Sequence, residues 1–304
     1  MKINHDILGH ESETWSKFVL AVLVLFGCVA LVYGSIYIVG EIFLGITNSA
    51  NTSIFSEFSN FGDDSAGFIF MMMCSIAAFH PAIALMTRFG YHRKYLSYIN
   101  PMGFAIRPDI KFALIFIAIY FGLSELIGAL LTVGSYHFEY TWEIGTWLIW
   151  IIPMAIAILL QTSAEEFLFR GFLQQYLRGL TANRAVYILL PAMLWSLLHI
   201  GNIEGKYTDL AAVFSVIVMG LIFGDWADRS RSLIGPLTVH FLNNFILICL
   251  IGSSLEPSEL HIFRSVIDNV ADEKLGVIFF MSSLMMGGVY LYIRKFIPDR
   301  REAL

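Results

Sequence analysis

Eight apolar stretches divided by short polar ones leave this chain a bilayer as the solvent in which to fold. A helix needs about 20 mostly apolar residues to cross the hydrocarbon core. On that ruler the crossings fall at about 18–39, 67–87, 111–133, 147–166, 185–200, 209–224, 233–252 and 276–294. Only 14% of the residues are charged and 57% are hydrophobic, whereas a soluble domain carries roughly 25% charged residues. The fold class that follows is all-α, a polytopic membrane bundle of about eight helices. It forms one integral membrane domain over 1–304, with its chemistry concentrated at about 147–250. The first apolar run exceeds the roughly 7–15 residues of a signal-peptide core and reads as a retained span.

Charge orients the bundle. The loop NSANTSIFSEFSNFGDDSAG has no Lys or Arg, and the next, RFGYHRKYLSYINPMGFAIRPDIK, has five. Basic residues bias loops toward the cytoplasm. With both termini cytoplasmic, only Lys206, Arg264 and Lys274 of the nineteen basic residues fall outside. The expected location is the plasma (inner) membrane of a prokaryote. The net charge of −5 carries no nucleic-acid footprint. Cys28, Cys74 and Cys249 all lie in apolar runs, which reads as buried free thiols rather than a disulfide framework.

Ionisable groups inside a bilayer are costly and mark functional sites by default. Three polar clusters recur in the second half of the chain. In QTSAEEFLFRGFLQQYLRGL, Glu165 and Glu166 close an apolar run, and Arg170 lies one helical turn beyond Glu166. In WSLLHIGN, Trp195 and His199 are spaced i, i+4; in HFLNN, so are His240 and Asn244. Together these supply a carboxylate base, imidazoles and side-chain donors. A desolvated carboxylate can serve as a general base, and His or Asn donors can form an oxyanion hole.

EEFLFRG, WSLLH and HFLNN resemble the three ordered motifs of the CAAX-protease and bacteriocin-processing family of intramembrane endopeptidases, which includes the Rce1 type. Those motifs are EExxxR, FxxxH and Hxxx(N or D); here Trp195 stands where the pattern has Phe. The resemblance implies a glutamate-dependent hydrolase. Glu165 would activate water with help from His199, and His240 and Asn244 would donate to the oxyanion. Glu166 would pair with Arg170 and orient Glu165, Trp195 would pack on His199, and Asn202 would face the site. No cofactor and no metal are implied. The expected partners are membrane lipids and a membrane-associated protein or peptide substrate.

Competing readings stand beside this one. Glu165, His199 and His240 could ligate zinc, although no HExxH occurs. A non-catalytic partner or immunity-type protein could retain the family fold. A transporter would use intramembrane carboxylates to bind ions, but matched halves with broken helices are not visible. No GxSG or GxGD string points to a serine or aspartyl protease, and Asp225 falls at a predicted helix end. Glu165 and Glu166 could also merely cap a span, paired with Arg170 and Arg178.

Other polar residues read as structural, namely His80, Glu125 and the small-residue pair Ser124 and Gly128. Trp142, Trp147 and Trp150 read as an interfacial belt. Depth poses one difficulty: Glu165 ends a predicted span at the inner face, whereas His199 closes a segment running outward. A tilted or longer fourth helix, continuing through FLFRGFLQQYL, would bring the two level.

Overall fold

In the computed structural model the chain is described over residues 66–90, 94–141, 143–201, 205–253 and 260–301, with parts of 19–34. Cys28, Trp142 and Asn202 lie outside the described residues. Among those described, five helices are long and apolar enough to cross a membrane, and three shorter apolar helices accompany them. The chain is an integral membrane helical bundle.

After a short apolar helix at Val22–Leu31 come α1 (Ala66–Ala77) and α2 (Phe79–Gly90), which meet at a turn at Ala78 and together supply one of the five long spans, Ala66–Leu85. A short 3-10 turn, Tyr95–Tyr98, precedes α3 (Arg107–Leu131). Then follow α4 (Ile144–Leu180), α5 (Ala185–Leu197), α6 (Lys206–Ser230), α7 (Ile234–Cys249) and α8 (Asp272–Ile293).

Several predicted boundaries change. The seventh span, expected over 233–252, ends at Cys249, and a strand begins at Ile251. The fourth span, expected over 147–166, is part of a 37-residue helix. Its second half contains a π-helical segment, Phe167–Leu173, of the kind often found at functional sites. Glu165 therefore lies inside α4 rather than at its end. The sixth span, expected over 209–224, runs to Ser230. Asp225 and Asp228 are thus helical, because arginines from neighbouring elements neutralise them.

Three strands join one end of the bundle: β1 (Tyr136–Tyr140), β2 (Ile251–Ser253) and β3 (Phe263–Ile267). The sheet order is β1-β3-β2, with β1 antiparallel and β2 parallel to β3. Glu139 and Arg264 face each other across β1 and β3, and the guanidinium holds that carboxyl below its usual range. The Glu125 carboxylate accepts a hydrogen bond from the Tyr136 hydroxyl, which gives this mid-span charge a partner. Gly128 meets the Tyr136 ring rather than another helix.

α6 packs against α5 and α8, and α7 against α3 and α4. The main core gathers Phe116, Trp195, Phe223, Trp226, Met286 and Tyr290. A second cluster holds Ile69, Met154, Ile158, Cys249 and Leu260. Leu148, Ile149, Ile152 and Ile156 of α4 are exposed, which is the expected state of a lipid-facing stripe. Trp147 donates to the Cys249 carbonyl at 2.9 Å, and Trp150 packs on Phe70. Cys74 and Cys249 are free thiols. His80 is a satisfied packing residue, bonded to Tyr95, the Leu160 carbonyl and Ser163.

Candidate functional site

Three helices build the site. α4 contributes Gln161, Glu165, Glu166 and Arg170; Gln161 and Glu165 are four residues apart, as are Glu166 and Arg170, so they form two pairs on neighbouring strips of the helix. α5 brings Trp195 in its last turn, with His199 just past its end. α7 brings His240, Asn243 and Asn244. α6 closes behind them through Gly220. A Cβ there would lie 2.7 Å from Ala192 Cβ and 3.0 Å from its Cα, so only glycine admits this approach of α5.

Glu165 is 8% exposed. Its Oε1 accepts from Gln161 Nε2 at 2.6 Å, and its Oε2 accepts from Trp195 Nε1 at 2.8 Å. His240 Nε2 lies 3.7 Å from Oε2. Glu166, only 1% exposed, has cationic company instead. Arg170 Nη1 and His240 Nδ1 both approach its Oε1, at 3.0 and 2.9 Å. An ion pair this deep is costly to break, because the surviving partner stays buried and uncompensated. Arg170 also stacks on the Trp195 ring, 4.4 Å from its centroid.

Asn244 reaches the carboxylate through one intermediary: its Nδ2 donates to Gln161 Oε1 at 3.1 Å. Its own Oδ1 accepts from Asn243 Nδ2 at 3.2 Å. His199 is tied to the same group through Trp195. Its Nδ1 donates to the Trp195 carbonyl at 3.0 Å, and the two rings pack edge to face with centroids 5.4 Å apart. In the neutral form of the ring, this bond makes Nε2 the accepting nitrogen. Among the described residues His199 makes no ion pair with Glu165; the imidazole closest to that carboxylate is His240.

The long α4 removes the depth difficulty, since Glu165 lies well inside a helix that continues through FLFRGFLQQYL to Leu180. Arg178 does not serve the glutamates; it lies 3.3 Å from Asp228. The three motifs assign no role to Gln161 or Asn243. Both are polar residues in apolar runs, Gln161 four before Glu165 and Asn243 at a variable position of HFLNN beside Asn244. Among the described residues no cluster of three or more His, Cys, Asp or Glu has metal-holding geometry.

The chain resembles an uncharacterized protein, YyaK, of Bacillus subtilis (strain 168), with 28% identity over 169 residues. That match covers 55% of this chain and 56% of the relative, so it spans about half the length of each. No solved structure matches. Residues 145–246, the segment that carries all three polar clusters, match the family model for type II CAAX prenyl endopeptidases, Rce1-like, a family that suggests a CAAX-type intramembrane protease.

Proposed function

We propose that this chain is an intramembrane endopeptidase that hydrolyses a peptide bond of a membrane-associated protein or peptide. The observation that carries the reading is the company of Glu165. It is a buried carboxylate held by two neutral donors, with an imidazole at 3.7 Å and an asparagine amide one residue removed.

Glu165 takes a proton from water as the water oxygen bonds to the scissile carbonyl carbon. His199 Nε2 offers a second acceptor that orients the water. The carbonyl oxygen becomes an oxyanion, to which Asn244 and His240 donate. His240 already uses Nδ1 on Glu166. To donate from Nε2 as well it must carry two ring protons, with the Glu166 carboxylate as counter-ion. The C–N bond then breaks, and the proton held by Glu165 passes to the leaving amine. The products are a carboxylic acid and an amine, and Glu165 returns to its starting state.

Glu166, Arg170, Trp195 and Asn202 support this chemistry without performing it. The proposed chemistry uses no metal, because Glu165 activates the water and side-chain donors hold the oxyanion. The protein lies in a prokaryotic plasma membrane with both termini cytoplasmic, as its basic loops favour.

The test is cleavage of membrane-anchored peptides, prenylated and unprenylated, by purified protein in proteoliposomes. Wild type should cleave at least one class in the presence of chelator, and Glu165→Gln should not. Equal cleavage by a folded Glu165→Gln variant would falsify the proposal.

A further inference from the structure

We infer that Gln161 and Trp195 are positioning residues that form a neutral clamp on Glu165, with Gln161 also setting the orientation of Asn244. The inference rests on the hydrolase reading for its kinetic consequence but not for the clamp itself.

Each oxygen of the Glu165 carboxylate receives one hydrogen bond, from an amide on one side and an indole on the other. Two bonds in different directions fix both the position and the rotation of a carboxylate, and each oxygen keeps a lone pair for water. Neither donor carries charge. A guanidinium in either place would hold the group as a buried ion pair, the arrangement that Glu166 has with Arg170. The clamp itself therefore orients the base through neutral bonds, and the group near Glu165 that can carry charge is the His240 imidazole, 3.7 Å from Oε2.

The indole is itself closely packed. Trp195 is 2% exposed, with the Arg170 guanidinium over its ring and the rings of His199 and His240 packed against it at steep angles. This gives the departure from the family-type motif a physical content. Phenylalanine at 195 could fill the same space but has no N–H to give Glu165. In this chain the ring of that motif does two jobs, packing on His199 and bonding the carboxylate.

Gln161 works in two directions. Its Nε2 donates to Glu165 while its Oε1 accepts from Asn244. With Asn243 donating to Asn244 Oδ1, the Asn244 amide is held at both ends. One of its two N–H groups is used and the other is uncommitted among the described residues, as an oxyanion donor requires. Gln161 thus couples the base and the oxyanion donor through a single side chain that is 4% exposed.

The first test needs no activity. The protein is labelled with 15N at its six tryptophans in nanodiscs, and the Trp195 indole signal is assigned by its absence in Trp195→Phe. Glu165→Gln should move that signal and leave the indoles distant from the site unchanged. An unmoved Trp195 signal would overturn the clamp whatever the protein catalyses.

The second test is kinetic. Trp195→Phe and Gln161→Leu should each lower kcat by about 10- to 100-fold, the scale of a misplaced catalytic group, with little change in KM. Their thermal midpoints should stay near wild type for Trp195→Phe, which keeps the ring. Wild-type kcat in a folded Trp195→Phe variant would overturn the positioning role. If Glu165→Gln itself retained cleavage, the hydrolase proposal would fail while the indole measurement still decided the clamp.

Discussion

Two pairs of carboxylates sit in this bundle in opposite electrostatic company. Asp225 and Asp228, near the end of α6, are surrounded by Arg178, Arg184, Arg231 and Arg294 at 2.5–3.8 Å, and Tyr290 adds a hydroxyl donor to Asp225 at 2.7 Å. Glu165 and Glu166, inside α4, share one arginine, and it serves Glu166. Asp228 and Glu166 are buried to a similar degree, so depth does not separate the pairs. Partner chemistry does. Four guanidinia tie helix ends together and hold the aspartates in ion pairs, whereas the hydrogen bonds to Glu165 come from a neutral amide and a neutral indole, with the His240 imidazole 3.7 Å away. Carboxylates act as mortar in one region and as a candidate reagent in the other.

The sharpest way to break this contrast is to neutralise one carboxylate in each region. Glu165→Gln should reduce peptide cleavage by about 10²–10⁴-fold, the usual contribution of a general base. Asp225→Asn should leave the rate per folded molecule unchanged, as single-turnover assays normalised to folded protein would read. If Asp225→Asn cost as much, the two regions would not differ in kind.

Removing one cation from each region comes next. Arg170→Ala leaves Glu166 buried without its ion-pair partner, and the expected loss is about 3–5 kcal/mol of stability. Arg184→Ala leaves Asp225 and Asp228 with three other arginines on a partly exposed face, and about 1 kcal/mol or less is expected. Unfolding in mixed micelles measures both.

Packing gives a smaller effect. Gly220→Val would drive a branched side chain into Ala192 and shift α5, which carries Trp195. About 1–3 kcal/mol of overpacking is expected, with a loss of activity that exceeds the loss of folded protein. Gly288 has open space around its Cα, so Gly288→Ala should leave both quantities unchanged.

The smallest effect belongs to the arginine-rich end. Arg301 holds Asp299 below the usual carboxylate range. A depressed folded value stabilises the protein above the unfolded value of about 4, and the contribution is lost as pH falls below it. Asp299→Asn should lower the thermal midpoint slightly at pH 7, and the gap from wild type should close on acidification. A gap that widened in acid would contradict the pairing.

Much of this was legible in the chain. The eight apolar stretches correspond to five long and three shorter helices, because a bilayer imposes a minimum length on any run that crosses it. The i, i+4 spacing of Glu166 and Arg170 was enough to pair them. Boundaries were less legible. A hydropathy ruler stops at the first charges, so it ended α4 at Glu166 and α6 before Asp225, where the protein continues both helices by neutralising those charges within the fold.

Sequence by itself settled the solvent, the helical class and the three polar clusters, since these depend on composition and on spacing along one helix. The tertiary structure alone decided who partners whom. That His240 lies closer to Glu165 than His199 does, that an indole takes the place of a phenyl ring to bond a carboxylate, and that Gln161 links Glu165 to Asn244 are relations between helices. Such relations depend on how α4, α5 and α7 pack, and periodicity within a single helix carries no information about the rotation of its neighbour.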